Sequence, residues 1–212
     1  SVGVVSTARY FAPTVLAAFS QLYPNVKLQL QVGNREATIY KLENLELDLA
    51  ITGLPPSHFE VNSEIIGKHP QIIIAPPGHK FAGKSRISLP SLKGENFLLR
   101  EPGSGTRSVA DKLFANYNYL LESGMEFGSN ETIKQAVMAG MGIAVISAHT
   151  VAAELAANRL ISLNVKGLPI NRKWFLVSHR KKRLLPSSQA LWNFLASSGK
   201  NYLPGDPSNT DN

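Results

Sequence analysis

Cysteine is absent from all 212 residues, so this chain has neither a disulfide nor a thiolate metal site. That composition is compatible with a reducing cytosol. Long apolar runs are absent too. Stretches such as Ile72-Ile73-Ile74-Ala75 fall far short of the ~20 residues a membrane-spanning helix needs. No basic segment followed by an apolar one opens the chain, so no secretory signal is expected. Beginning on Ser1, the chain reads as a processed protein or a fragment. Catalytic signatures are also lacking: there is no Gly-x-Ser-x-Gly elbow, Walker loop or dinucleotide fingerprint. The five histidines, His58, His69, His79, His149 and His179, show no metal-ligand spacing and read as structural. These absences argue against an enzyme and against a resident metal or cofactor.

What is present reads as an ordinary globular protein. Hydrophobic residues make up 43% and charged residues 17%, enough to bury roughly 70% of the unfolded surface. The 22 Lys and Arg outweigh the 15 Asp and Glu for a net charge of +7. Much of that excess lies late, in Arg172, Lys173, Arg180, Lys181, Lys182 and Arg183. One reading is a patch for nucleic acid or an acidic partner. The preferred one is a solvated strand end and loop around the apolar Trp174-Phe175-Leu176-Val177.

Hydrophobic periodicity predicts alternating strands and helices. Val2–Val5 reads as a buried strand. A helix over 11–23 follows, with apolar positions Phe11, Val15, Leu16, Phe19 and Leu22. A half-polar strand spans 26–32, a helix 35–44 and a strand 47–51. This β-α-β-α-β order is that of a parallel sheet with right-handed crossovers. Strands are expected at 64–66 and 72–75, after which Pro76-Pro77-Gly78-His79 marks a crossing into a second lobe. There the alternation resumes at 96–99, 107–117, 124–127, 131–139, 143–146, 151–157 and 160–163. A strand over 174–178 and a helix over 187–196 return to the first lobe. The expected division is 1–75 with 178–198 for lobe I and 76–177 for lobe II, joined by a two-strand hinge. Residues 199–212 are expected to be a disordered tail.

The chemistry concentrates at strand-to-helix corners. Val32-Gly33-Asn34-Arg35-Glu36 and Phe127-Gly128-Ser129-Asn130-Glu131 each set a glycine and a short polar side chain before a helix that carries Glu early, a helix N-terminus signature. A second pair of corners is Val4-Val5-Ser6-Thr7 and Leu98-Leu99-Arg100 through Ser104-Gly105-Thr106. Helix N-termini facing a cleft between two lobes suit an anion. Arg100 offers a bidentate fork, Ser104 and Thr106 offer hydroxyls, and Gly103 and Gly105 let backbone approach. Against this stands the reading of an N-cap beside a surface arginine. Arg9, Arg35 and Arg107 sit early in helices, where a cation is unfavourable, a further hint of anion contact.

These segments, with Tyr23-Pro24-Asn25-Val26, Leu47-Asp48-Leu49-Ala50-Ile51, Leu99-Arg100-Glu101-Pro102-Gly103-Ser104-Gly105-Thr106-Arg107 and Gly140-Met141-Gly142-Ile143-Ala144, resemble the effector-binding domain of LysR-type transcriptional regulators over roughly residues 1–198. The Ser-Thr-Ala-Arg-Tyr-Phe opening and the Gly-Asn-Arg-Glu corner are similar to the branch that controls carbon-fixation genes, RuBisCO-operon regulators and the low-CO2-responsive regulators of cyanobacteria. The resemblance implies an α/β periplasmic-binding-protein-like fold of two Rossmann-like lobes with a metabolite cleft. It implies a homodimer, tetrameric in the whole protein, paired through helix 11–23 and strand 26–32. The family's winged helix-turn-helix is missing here, so promoter DNA would be bound only through that missing domain. Effector positions carried over are Ser6, Thr7, Asn34, Thr52, Gly53, Arg100, Ser104, Gly105 and Thr106. The corner reading adds Ser129 and Asn130. Implied effectors are ribulose 1,5-bisphosphate, 2-phosphoglycolate, 2-oxoglutarate or NADPH. Localisation would be cytoplasmic, with no membrane partner. The alternatives are a solute-binding protein of a transporter, which shares the fold, and an enzyme on the same scaffold.

Overall fold

The computed structural model describes residues 1–117 and 125–205. In chain order the elements are β1 (Val2–Val5), α1 (Ala12–Leu22), β2 (Leu30–Gly33), α2 (Arg35–Glu43), β3 (Leu49–Thr52), β4 (Val61–Ala75), β5 (Leu99–Arg100), α3 (Gly105–Ala115), β6 (Glu126–Phe127), α4 (Asn130–Met138), β7 (Ala144–Ser147), α5 (Ala152–Ala156), β8 (Ile161–Ser162), β9 (Ile170–His179) and α6 (Pro186–Ser198). Two compact units result. The first takes Ser1–His69 and Arg172–Pro204, and the second takes Pro70–Asn171. The chain therefore passes between them inside β4 and inside β9, not after residues 75 and 177 as the breakers suggested. Pro76 and Pro77 end β4 instead of marking the crossing.

In the first unit β1 pairs in parallel with both β2 and β3, with Val5 opposite Gly33 and Val4 opposite both Val32 and Ile51. β9 then runs antiparallel to β3, Thr52 opposite Phe175. The polar strand expected over 26–32 forms only from Leu30, because β1 is four residues long and leaves no partner for earlier residues. Val26 and Leu28 still pack against the core. That core gathers the buried face of α1 (Ala12, Val15, Leu16, Phe19) with Val2, Val4, Leu49, Ile51, Trp174, Leu176 and Leu195. Phe19 stacks on Tyr23 at 4.6 Å and meets Phe194 at 5.7 Å. Leu22, placed by periodicity on the same face, is exposed.

The strands expected at 64–66 and 72–75 are one continuous strand. Gly67 and Pro70 read as breakers, yet Gly67 takes φ +152°, a conformation glycine tolerates, and Leu203 packs where its Cβ would be. Leu203 follows a 3-10 helix, Gly199–Tyr202, and both Tyr202 and Leu203 lie against the first unit's core. Residues 199–205 are thus folded, contrary to the expected tail. The remainder, 206–212, lies outside the described residues, as does the start of the strand expected at 124–127.

The second unit has two clusters. One joins Ile73, Ala75, Phe97, Leu99, Val109, Phe114, Ile143 and Val145; the other joins Ile72, Ile74, Leu98, Ile133, Val137, Ala144 and Ile146. Alternate residues of β4 and β7 feed opposite clusters, as the pleat requires. β4 pairs antiparallel with β7 and β8, and β5 pairs in parallel with β6, Leu99 opposite Glu126 and Arg100 opposite Phe127.

Two predictions follow from this packing. Phe19→Ala should lower unfolding free energy by about 3 to 5 kcal/mol, measured by urea denaturation. Asp48 holds Lys182 at 2.9 Å and the amino terminus of Ser1 at 2.6 Å. Partial burial alone would raise its carboxyl, but those hydrogen bonds and charges hold it down to about 2. The bonded carboxylate stabilises the fold above the unfolded value of ~3.9 and loses that contribution as pH falls through the folded one. Thermal melts of Asp48→Asn and the parent chain should differ near neutral pH and converge as pH drops toward about 2.

Candidate functional site

Each unit carries a polar corner. In the first, parallel pairing brings the carboxyl ends of β1, β2 and β3 to one sheet edge, where α/β proteins bind ligands. Ser6 and Thr7 follow β1. Ser6 is partly exposed, while Thr7 is buried and precedes a short 3-10 helix, Ala8–Tyr10, without a side-chain cap bond. Asn34 follows β2 and caps α2, its Oδ1 accepting from the Ala37 N–H at 2.9 Å. Thr52 ends β3 fully buried, and its hydroxyl donates to the Leu54 carbonyl at 3.3 Å. Gly53 has no room for a side chain: a Cβ would stand 2.9 Å from His69 Nδ1. The His69 ring stacks on Trp174 at 3.6 Å.

Because β9 runs antiparallel to β3, its first residues lie at this same edge, and they bring a cation. Arg172 donates from Nη2 to the Gly53 carbonyl at 2.9 Å. Arg35, the first residue of α2, donates from Nε to the Leu54 carbonyl and from Nη2 to the Pro55 carbonyl, both at 3.4 Å. One short turn, 53–55, therefore holds two guanidinium groups by backbone oxygens. Burial lowers the pKa of both, and the charge of Arg35 lowers that of Arg172 further. Among the described residues neither makes an ion pair with a carboxylate. The hint read from Arg35 points to this corner. Arg172 is absent from the sequence-based site, having been left in the solvated basic cluster. The missed signal is the period of two along β9, which puts Arg172 on the face of Trp174 and Leu176, both fully buried. Lys173 falls on the other face.

The second unit's corner is already paired. Arg100 ends β5 with only 2% of its surface exposed. Its Nε and Nη2 grip Glu101 Oε2 and Oε1 at 2.7 and 2.8 Å, and Nη1 donates to Asn130 Oδ1. Arg107 supports the same strand end, donating to the Arg100 carbonyl at 3.0 Å, and also pairs with Asp111 and Glu126. The hydrogen bond to Asp111 is the main cause that raises the Arg107 pKa. The helix-start penalty read for Arg107 is thus offset inside its own unit. Ser104 is the buried N-cap of α3 and its side chain makes no cap bond. Gly105 and Thr106 are the first residues of α3, Thr106 buried. Ser129, not Asn130, caps α4, accepting from the Thr132 N–H at 3.1 Å. Asn130 is instead the first helical residue and the partner of Arg100. The structure therefore joins Arg100 directly to Asn130, and reaches Ser104 through Glu101, whose carbonyl accepts from the Ser104 N–H at 3.2 Å. Sequence reasoning missed Glu101, although it adjoins Arg100.

Comparison with known proteins identifies the arrangement. The family model described as LysR substrate binding domain matches residues 1–200. The chain belongs to the LysR family. A HTH-type transcriptional regulator CbbR of Xanthobacter flavus is 50% identical over 97% of this chain and 62% of that protein. A RuBisCO operon transcriptional regulator of Allochromatium vinosum is 41% identical over 92% of this chain and 65% of its own length. The LysR domain here thus spans less than two thirds of those regulators. Among solved structures, the CcmR regulatory domain of Synechocystis PCC6803 in complex with 2-PG superposes with a TM-score of 0.90 at 38% identity, covering 94% of this chain and 96% of that one. The effector-binding domain of QuiR in complex with shikimate, 20% identical with a TM-score of 0.83 over 95% of this chain and 97% of that one, shares the fold. Fold and family agree with the expected periplasmic-binding-protein-like α/β class.

Arg100→Ala would leave Glu101 and buried Asn130 without their donor. It should cost roughly 2 to 3 kcal/mol of stability, and Arg100→Ala/Glu101→Ala should recover part of it, measured by chemical denaturation.

Proposed function

We propose that the chain is the metabolite-sensing domain of a LysR-type transcription factor that controls inorganic-carbon uptake and fixation genes, and that its effector is a small anion carrying phosphate or carboxylate. The observation that carries this reading is the 41% identity to a RuBisCO operon transcriptional regulator across 92% of the chain. A 38% identical domain that holds 2-PG supports an anionic effector. Ser6, Thr7, Asn34, Thr52 and Gly53 of the first unit, and Arg100, Ser104, Gly105, Thr106, Ser129 and Asn130 of the second, are the proposed effector positions. The two corners offer backbone at strand ends and the positive ends of α2, α3 and α4.

The domain works as a sensor without catalysis, in the cytoplasm, as a homodimer within a tetrameric regulator whose promoter contacts lie in a separate helix-turn-helix domain. Among the described residues no helix is long and apolar enough to cross a membrane. An effector shifts such a domain only by its differential affinity for two states, and a tenfold difference is worth about 1.4 kcal/mol.

Calorimetric titration with ribulose 1,5-bisphosphate, 2-phosphoglycolate, 2-oxoglutarate and NADPH tests this reading. Saturable binding of a phosphorylated member is expected, and Thr106→Val should weaken it. Absence of heat with all four would contradict the reading.

A further inference from the structure

The arginines of the two corners differ in kind. Arg100 already has a bidentate carboxylate. Among the described residues, Arg35 and Arg172 bond only the carbonyls of one turn, at 3.4, 3.4 and 2.9 Å. A guanidinium carries five N–H donors, so most of the donors of this pair are unspent on those three carbonyls. The two 3.4 Å contacts are long enough to yield to a better acceptor. Two like charges so close that one lowers the other's pKa cost the fold stability unless something negative joins them. Around them stand Asn34 at the start of α2, whose nine residues direct a positive dipole end to the same edge, and the Thr52 hydroxyl in the same turn.

We propose that Arg172 and Arg35 form the phosphoryl-binding half of the effector site, selecting a phosphate-monoester dianion over a ligand whose only charge is a carboxylate. This rests on the anion-sensing role proposed above and assigns to it two residues and a chemical class. A dianion with three terminal oxygens accepts from both guanidinium forks at once and neutralises both charges. A single carboxylate has two oxygens and one charge, and leaves one arginine uncompensated. Gly53, whose carbonyl holds Arg172, is kept without a side chain by His69, whose Nδ1 would stand 2.9 Å from a Cβ there. Arg172 is thereby a ligand-contacting residue, held at the edge by the strand register of β9 on β3.

The test is calorimetry of the chain with 2-phosphoglycolate and with glycolate, its counterpart without the phosphoryl group. Both are titrated into the parent and into Arg172→Gln, Arg172→Lys and Arg35→Gln, alongside melting curves of each ligand-free protein. The parent should prefer 2-phosphoglycolate. Arg172→Gln and Arg35→Gln should each lower its affinity about 10- to 100-fold, the range of a charge-assisted hydrogen bond, and shrink the preference over glycolate. Arg172→Lys should retain part of it. Ligand-free melting temperatures of the two Gln variants should match or exceed the parent's, because a repulsive pair has been removed. Parent-like 2-phosphoglycolate affinity in both Gln variants would overturn the assignment and leave the anion-sensing reading standing. Equal losses for both ligands with a lowered ligand-free melting temperature would show a structural role and overturn it too. A parent that binds neither these nor the other anions named above would contradict both.

Discussion

Parallel pairing of β1 with β2 and β3 is the constraint on which the first unit's chemistry depends. Parallel strands end at the same edge, so three segments distant in sequence deliver Thr7, Asn34 and Thr52-Gly53 to one place. Each following helix must then begin there, which supplies the cap at Asn34 and the dipole of α2. The antiparallel partner β9 begins at that edge for the same reason, with Thr52 opposite Phe175. Arg172 arrives three residues earlier. A register slip of one residue would turn it to the other face of the sheet and Lys173 inward.

The two corners illustrate opposite ways of handling a buried cation. In the second unit Arg100 is closed by Glu101 and Asn130, so its charge and donors are met within the fold. In the first unit, among the described residues, Arg35 and Arg172 are held by carbonyl dipoles and repel one another. Burial and mutual repulsion lower the pKa of this pair, and in the proposed site an arriving anion would relieve that repulsion. On the proposal made above, the phosphoryl contact falls to Arg172, one of the residues least conspicuous in sequence, and not to Arg100.

Much of the fold was legible because its signals are local. The helical spacing of Val15, Leu16 and Phe19, the capping Asn34 and the alternation of strands with helices each report on a few neighbouring residues. The continuous β4 was not legible, since Gly67 and Pro70 look like breakers until Leu203, far along the chain, is seen filling the space beside Gly67. Folding of 199–205 was hidden for the same reason: its polar composition says nothing of Tyr202 and Leu203 docking on the core. Of the candidate site, the strand-end residues could be read from corner chemistry. The pairing states of the arginines could not, because Asn130 and the carbonyls of 53–55 become partners only through tertiary register and Glu101, though adjacent to Arg100, could equally have faced solvent. Arg172 was half legible: strand periodicity set it on the Trp174 face, but its basic neighbours suggested solvent.

On this proposal the first unit's strand-end corner receives the effector's phosphoryl group. A crystal structure of this chain grown with 2-phosphoglycolate tests it most directly. The account predicts phosphoryl oxygens within hydrogen-bond distance of the Arg172 and Arg35 guanidinium groups, near Asn34 and Thr52. A bound ligand whose phosphoryl group lies away from both arginines, with Arg172 still engaging only the Gly53 carbonyl, would contradict it.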